Sequence, residues 1–393
     1  MWMAASIFYA YQYVLRVIPS VMLDNIMQQF QMDTVIFGQF SGVYYIGYSL
    51  MHIPLGILMD KWGPRKIIST CILFSAIGIL PIVFAEQWIY PTVGRFITGI
   101  GSSAAILGLF KIIRMAFDEQ RFTRMLSFSV TIGIFGAIYG GAPVGYMCEI
   151  FTHKIVVGIL ALVGVALAIA TYIIIPEIKS ETDENNSMFS NLRDVLTNSK
   201  VIIICISAGL MVGPLEGFAD IWGPKFLTQI YGVENSAARY LTSMLFIGMC
   251  VGAPILNFIA EKLKDYLKTV ILSGSIMFFV FLMLIADALS IAGITIGFFI
   301  VGICSAYQIL AIYKASTYVN KNSVNLATAI ANMVIMIFGY VFHGAIGTII
   351  KMCDGLGTNS AFCCGIMVIP IALLLGTIGF AVVFRMDRTG RVN

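Results

Sequence analysis

The stretch "GILMDKWGPRK", residues 56–66, separates two long apolar runs near the start of the chain. Those runs, residues 37–59 and 67–85, are each close to the ~20 residues that a helix needs to cross a bilayer. The stretch itself combines spaced glycines with an acidic residue and a basic pair: Gly56, Gly63, Asp60, Arg65 and Lys66. It therefore predicts a short polar loop at a membrane surface, with a helix on each side.

The composition of the whole chain agrees with this interpretation. Of its 393 residues, 59% are hydrophobic and 11% are charged, whereas soluble domains carry about 25% charged residues. We interpret twelve long apolar stretches as membrane spans: residues 2–27, 37–59, 67–85, 90–113, 124–147, 155–175, 200–228, 236–259, 268–286, 290–313, 325–349 and 360–384. The sequence thus predicts an all-α integral membrane protein with twelve transmembrane helices.

The polar segment 176–199 divides these spans into six and six. We therefore predict an N-terminal six-helix bundle (1–175), a cytoplasmic linker (176–199), a C-terminal six-helix bundle (200–384) and a cytoplasmic tail (385–393). Apolar residues within the linker follow helical spacing and predict a short helix on the membrane surface: Met188, Leu192, Val195 and Leu196.

The basic residues are distributed unequally between the two sides of this topology. One side holds only Lys154, Lys225, Arg239 and Lys351, and the opposite side holds most of the others. Because Lys and Arg accumulate in cytoplasmic loops, the richer side is predicted to be cytoplasmic. We expect a multi-pass protein of the bacterial inner membrane with both termini in the cytoplasm.

Two sequence matches relate the halves of the chain. Residues 99–111, "GIGSSAAILGLFK", are similar to residues 302–314, "GICSAYQILAIYK". Residues 134–142, "IFGAIYGGA", are similar to residues 337–345, "IFGYVFHGA", at the same offset. An internal repeat of six spans is typical of transporters whose substrate site lies near the bilayer midplane. The matches therefore predict two pseudo-symmetric bundles.

The loop at 56–66 resembles the loop motif of the major facilitator superfamily, in which a glycine is followed by an aspartate, a second glycine and a basic pair. Gly56, Asp60, Gly63 and Arg65 stand in the places of that motif. Together with the spans, the repeat and the linker, the resemblance covers the whole chain. It implies two six-helix bundles that rock about a central cavity. It also implies that Asp60, near a helix N-terminus, pairs with Arg65 as a conformational latch.

Two further stretches resemble family signatures. "GRFITGIG", residues 94–101, resembles the fourth-helix signature with Arg95 as its arginine. We group Arg95 with the latch; it could handle protons or substrate, or extend toward the outer surface. "YQYVLRVIPS", residues 11–20, resembles the first helix of the organic-anion and nitrate-type branches, which implies that Arg16 contacts an anion. Gln12 and Tyr13 lie on the same helical face and join the predicted substrate site.

The resemblance implies that spans one, four, seven and ten line the cavity. Span ten adds Tyr307 and Gln308 as candidate substrate ligands. Lys111 and Lys314 occupy equivalent places in spans four and ten. They could form a cationic inner mouth for substrate, or extend to the cytoplasmic interface.

Span seven contains "GPLEGFADIWGP", residues 213–224, with two carboxylates one helical turn apart. Glu216 and Asp220 could carry a coupling proton, because desolvation and a neighbouring like charge both favour the protonated form of a carboxyl group. They could instead bind an amino group or form a salt bridge, or Asp220 could pair with Arg16 as a gate. His343, where the first half has Gly140, is a third candidate for proton coupling. Pro214 predicts a kink.

Charges of both signs in one cavity suit a zwitterion. We predict a secondary active transporter that moves an amino acid or short peptide by alternating access, coupled to protons. The alternatives are an organic-anion or sugar-phosphate transporter, a drug exporter and a transporter-like nutrient sensor. The eight scattered cysteines show no metal spacing, and the net charge of +4 is too small to indicate nucleic-acid binding. The sequence contains no enzyme motif, so we expect no catalysis and no cofactor. We also expect a monomer in the lipid bilayer.

Overall fold

The computed structural model describes residues 1–177, 195–320 and 323–389. The chain divides into two compact units, Met1–Glu184 (unit 1) and Asn185–Asn393 (unit 2). The described helices of unit 1 are α1 (Trp2–Val21), α2 (Leu23–Phe30), α3 (Thr34–Trp62), α4 (Pro64–Gly78), α5 (Pro81–Phe84), α6 (Ile89–Ser102), α7 (Ala104–Ala116), α8 (Glu119–Ile150) and α9 (His153–Ile174).

Unit 2 repeats this plan, with one unusual element near its start. Its described elements are α10 (Ser199–Leu210), a π-helix (Gly213–Trp222), α11 (Gly223–Tyr231), α12 (Asn235–Leu263), α13 (Tyr266–Ile285), α14 (Ile291–Ser305), α15 (Tyr307–Ser316), α16 (Val324–Met352), a 3₁₀ turn (Asp354–Leu356), α17 (Thr358–Ile366) and α18 (Val368–Thr389).

The predicted spans correspond to helical segments along the chain. Among the described residues, 11 segments are long and apolar enough to cross a membrane. The first predicted span, α1, is 20 residues long, which is sufficient to cross the hydrocarbon core. Gln12, Arg16 and three tyrosines make α1 more polar than the other spans. The prediction of an all-α membrane protein is confirmed.

The internal repeat is visible in the backbone of each unit. In unit 1 the fourth span is interrupted at Ser103, between α6 and α7. In unit 2 the tenth span is interrupted at Ala306, between α14 and α15. The two breaks are separated by the same offset as the matching sequences 99–111 and 302–314. An internal repeat predicts that equivalent helices break at equivalent residues, as the fourth and tenth spans do here.

Small residues bring helices together in both units, but on different helices. In unit 1 a Cβ on Gly136 of α8 would overlap the carbonyl group of Ala10 in α1. At the contact of the seventh and eleventh spans in unit 2, the glycines lie on the seventh span instead. There, Gly209 packs against the ring of Phe338 and Gly213 packs against the ring of Phe342, both on α16. Such small-residue contacts are the usual way that membrane helices pack closely.

The loop motif forms a sharp turn between α3 and α4. Gly63 has a φ of 81°, a conformation that side-chain-bearing residues rarely adopt. Pro64 follows as the first residue of α4, where its missing N–H costs no hydrogen bond. At Gly56 an added Cβ would meet no described atom within 4 Å, so the structure shows no steric need for glycine there.

The final helix is longer than the sequence indicated. α18 continues to Thr389, so the first residues of the predicted tail at 385–393 are helical. Of the predicted surface helix in the linker, Met188 and Leu192 lie outside the described residues, whereas Val195 is buried. The proposed division at 176–199 stays a prediction.

The α1–α8 contact can be tested with glycine substitutions. Gly136→Ala should lower the melting temperature of the detergent-purified protein by several degrees, because overpacking typically costs about 1–3 kcal/mol. Gly158→Ala in α9 is the matched control, since its added Cβ meets nothing within 4 Å. The control should be neutral or slightly stabilising. Equal melting temperatures for the two variants would contradict this packing.

Candidate functional site

In unit 1 the guanidinium of Arg16 is stacked among aromatic rings. Its Cζ lies 4.5 Å from the ring centroid of Tyr13 and 5.9 Å from that of Tyr45. The Arg16 residue is 6% exposed. Both distances fall within the ~6 Å range of attractive cation–π contacts. The cation therefore lies beside two aromatic rings and is largely shielded from solvent.

A row of aromatic residues on α3 completes this environment, and sequence analysis missed it. Tyr44, Tyr45, Tyr48 and His52 recur at helical spacing in "YYIGYSLMH", residues 44–52. The ring of Tyr48 lies 6.2 Å from that of Tyr44 and 5.4 Å from that of His52. The Tyr44 hydroxyl donates a 2.8 Å hydrogen bond to Oε1 of Gln12. The spacing was visible in the sequence, but it is equally typical of ordinary packing.

Arg95 is a buried tie between three helices. Its Nη1 donates a 2.7 Å hydrogen bond to the carbonyl oxygen of Leu15, and its Nη2 donates a 3.4 Å bond to that of Ser41. The Cζ also lies 4.8 Å from the ring centroid of Tyr44. With 1% of the residue exposed, the alternative in which Arg95 extends to the outer surface is wrong. Arg95 therefore holds α1, α3 and α6 together next to Tyr44 of the aromatic row.

The described contacts of the loop motif join Arg65 and Lys66 to residues at the end of α9 or just after it. The Cζ of Arg65 lies 4.1 Å from the ring centroid of Tyr172, near the end of α9. The adjacent Lys66 forms a 2.8 Å ion pair with Glu177. The side chain of Asp60 lies outside the described residues, so its pairing with Arg65 stays a prediction. Within unit 1, this turn is therefore anchored to the end of the sixth span.

In unit 2 the two carboxylates lie in a π-helix rather than at a simple kink. The N–H of Gly223 bonds to the carbonyl of Phe218, five residues earlier, which is the π-helical pattern. Glu216 is 2% exposed and Asp220 is fully buried at 0%. The wider π turn still leaves residues four apart on one side. Because π-helical turns are frequent at functional sites, the segment is a strong candidate.

His343 of α16 is bonded to this π-helix. Its Nε2 donates to the backbone carbonyl of Glu216. In return, Nε1 of Trp222 donates a 3.4 Å bond to the backbone carbonyl of His343. All three residues are buried. The structure thus brings together Glu216 and His343, two of the predicted proton-coupling residues, although through the backbone of Glu216.

The candidates on the tenth span have different roles in the structure. The Tyr307 hydroxyl donates a 2.6 Å hydrogen bond to the carbonyl of Ala208, and the residue is fully buried. This bond makes Tyr307 a link between α15 and α10, and its assignment as a substrate ligand stays a prediction. Gln308 is buried, and its Nε2 has no hydrogen-bond partner among the described residues. Gln308 therefore remains a candidate for substrate contact.

Lys314 belongs to an ion cluster that was not predicted. Its Nζ lies 3.1 Å from Oδ2 of Asp387, and Nζ of Lys200 lies 2.8 Å from Oδ1 of the same carboxylate. The Tyr318 hydroxyl donates to Oδ2 of Asp387 as well. Two lysines share this one carboxylate, so the cluster keeps a net positive charge, and the cationic mouth predicted for Lys314 stays a prediction. Lys111, its repeat partner, is half-buried in α7.

A family model described as Major Facilitator Superfamily matches residues 2–343. The chain belongs to this superfamily. It is 21% identical to the transporter YybO of Bacillus subtilis (strain 168), over 94% of this chain and 89% of that protein. It is 20% identical to the probable galactarate/D-glucarate transporter GudP of the same organism, over 64% of this chain and 62% of GudP.

Solved structures agree on the fold of this superfamily member. A crystal structure of the nucleoside transporter NupG matches with a TM-score of 0.81 at 14% identity, covering 98% of this chain and 99% of that one. The chain is therefore a multi-pass membrane transporter of the major facilitator superfamily, and not an enzyme, as the sequence predicted.

The bond from His343 to the π-helix can be tested by its contribution to stability. His343→Leu should lower the melting temperature by a few degrees, since losing one such hydrogen bond costs about 1 kcal/mol. His343→Gln keeps an N–H donor and should retain more of the stability. The measurement is thermal unfolding of purified protein in detergent. A Leu variant as stable as the parent would show that the bond does not hold the π-helix.

Proposed function

We propose that this transporter moves a zwitterionic solute, an amino acid or a short peptide, across the bacterial inner membrane together with protons. The observation that supports the proposal is the burial of charged groups of both signs within membrane spans. Arg16 is 6% exposed, and Glu216 and Asp220 are 2% and 0% exposed. Ionisable residues inside membrane spans are costly and usually mark substrate or proton pathways.

In this proposal Arg16 binds the carboxylate of the solute. A guanidinium presents its donors at the edge of a planar group, and that edge can grip a carboxylate with two parallel hydrogen bonds. Tyr13 and Tyr45 lie beside this group, and in the proposal their cation–π contacts orient it for the carboxylate. Gln12 is positioned on the same helix by its bond from Tyr44. Burial strengthens such charged contacts because the local dielectric is low.

Glu216 and Asp220 carry the proton in this proposal. Both carboxyl groups are buried in the π-helix, four residues apart in the seventh span, and an ionisable side chain inside a membrane span commonly marks a proton pathway. The π-helix supplies a backbone that can change its hydrogen-bond register, and His343 contacts it at the carbonyl of Glu216. Proton loading at Glu216 would therefore act directly on an irregular part of the seventh span.

An organic anion is the second candidate substrate. Arg16 alone suits an anion, and the relative GudP is named for two sugar acids. A sugar phosphate is less well supported, since Asp387 pairs with Lys314 and would compete with an anionic substrate for it. Buried charges also argue against export of apolar drugs. We retain Gly63 and Arg65, with Asp60, as the proposed conformational latch.

The role of Arg16 is tested by substitutions that separate charge from geometry. Arg16→Lys keeps the charge but loses the two-pronged grip, so it should weaken uptake about tenfold or more, since about 1.4 kcal/mol corresponds to tenfold. Arg16→Ala should abolish uptake. Tritiated amino acids, dipeptides and sugar acids are offered to proteoliposomes, and thermal shifts measure binding. Normal ligand binding by a folded Arg16→Ala protein would contradict the proposal.

Proton coupling is tested in liposomes with an imposed pH gradient. Glu216→Gln mimics the permanently protonated form, so it should lose gradient-driven accumulation yet keep substrate counterflow, which moves no net proton. Asp220→Asn is the matched control on the same helix and should change the pH dependence of uptake while coupling remains. Gradient-driven accumulation by Glu216→Gln at the parental level would leave a structural or amine-binding role as the better explanation.

A further inference from the structure

Two basic side chains from different helices lie against one aromatic ring in unit 2. Nζ of Lys268, near the start of α13, lies 5.8 Å from the ring centroid of Phe384 in α18. Cζ of Arg388, one helical turn further along α18, lies 4.7 Å from the same centroid. Both distances are within the ~6 Å range of cation–π contacts. One ring therefore holds two positive charges close together, and both residues are exposed.

The place of this pair is set by the packing of two membrane helices. A Cβ on Gly274 of α13 would lie 2.2 Å from Oγ1 of Thr377 in α18, so the helices approach closely there. That contact follows Lys268 along α13 and precedes Phe384 along α18, which makes the two helices antiparallel. The pair is therefore carried by the ends of two packed helices.

The carboxylates nearest along the chain are engaged elsewhere. Asp387, the neighbour of Arg388, pairs with two lysines of other helices. Oδ1 of Asp265 accepts hydrogen bonds from backbone N–H groups at the start of α13. In the part of the chain that the structure describes, neither Lys268 nor Arg388 forms an ion pair. Two like charges held on one ring repel each other, and a bound anion would offset that repulsion.

The helix face that begins at Lys268 is apolar and exposed. Leu272 and Phe279 follow Lys268 on the same side of α13, and they are 45% and 62% exposed. At 1.5 Å per residue, Phe279 lies about 16 Å along the helix from Lys268. This length is close to that of one leaflet, which is half of the ~30 Å hydrocarbon core. The cation therefore stands at one end of an apolar face as long as an acyl chain.

We propose that Lys268 and Arg388 bind the phosphate of an anionic phospholipid, while the apolar face of α13 contacts one of its acyl chains. Both side chains are donors that suit phosphate, and the ring of Phe384 holds them side by side. A free phosphate would use the cations but not the apolar face. The basic side of the protein, predicted to be cytoplasmic, meets the leaflet that has a negative surface potential. The proposal does not depend on the proposed substrate.

The test is native mass spectrometry of the detergent-purified protein titrated with phosphatidylglycerol, with phosphatidylcholine as the lipid without net charge. Lys268→Gln and Arg388→Gln should each weaken phosphatidylglycerol binding about fivefold, the usual contribution of one basic residue near an anionic surface. The double variant should lose the preference over phosphatidylcholine. Arg121→Gln combined with Arg124→Gln is the matched control, because it removes two exposed charges from unit 1 on the same predicted side. The control should keep the parental affinity.

Further variants separate a built site from charge alone. Phe384→Leu keeps both cations but removes the ring, so it should weaken binding severalfold, whereas Lys268→Arg should bind as the parent does. Melting temperatures without added lipid identify the folded variants. Inorganic phosphate and glycerol 3-phosphate, the probes for a free anion, should not displace phosphatidylglycerol.

Three results would overturn the proposal. The first is equal phosphatidylglycerol affinity in the parent and in the double variant at Lys268 and Arg388. The second is an equal loss of affinity in the control at Arg121 and Arg124, which would show that only net charge matters. The third is displacement of the lipid by inorganic phosphate, which would make this a site for a free anion.

Discussion

A polar group inside the hydrocarbon cannot exchange its hydrogen bonds with water, and this constraint shapes both units of the protein. The long polar side chains of the spans meet it by bonding to backbone carbonyls of other helices. Arg95 bonds to the carbonyls of Leu15 and Ser41, Tyr307 to that of Ala208, and His343 to that of Glu216. Each bond satisfies one buried donor and simultaneously fixes one helix against another.

These ties require helices that approach closely, and the two halves of the repeat meet this requirement differently. In unit 1 the glycines of α8 admit the backbone of α1, and Gly140 lies beside Val14. In unit 2 the glycines lie on the seventh span, and α16 contributes Phe338, Phe342 and His343. Where the first half has a glycine that admits a neighbouring backbone, the second half has a histidine that bonds to one. At this contact, close packing of a glycine in the first half is replaced by a histidine hydrogen bond in the second half.

The sequence was sufficient for the spans, the repeat and the buried charges, because each depends on local composition or on register. The sequence did not predict the π-helix. Every residue of Gly213–Trp222 is buried, and a segment buried on all sides shows no hydrophobic periodicity. The sequence was also insufficient for the partner of Lys314, because Asp387 lies far away along the chain. Asp387 was assigned to a tail, whereas the helix continues through it. Contacts between distant helices need the three-dimensional structure.

Two buried arginines of unit 1 contrast the structural role of Arg95 with the recognition role that we propose for Arg16. Arg95 directs donors of its guanidinium edge to backbone carbonyls, so its hydrogen-bonding capacity is used to hold helices. Arg16 instead lies beside two aromatic rings, with its Cζ 4.5 Å from the centroid of Tyr13 and 5.9 Å from that of Tyr45. Stacking uses the π-faces of the group, whereas anion binding uses its edge, so the two do not compete. In the role that we propose for Arg16, the ring contacts orient the guanidinium through its π-system, which an anion does not need for binding.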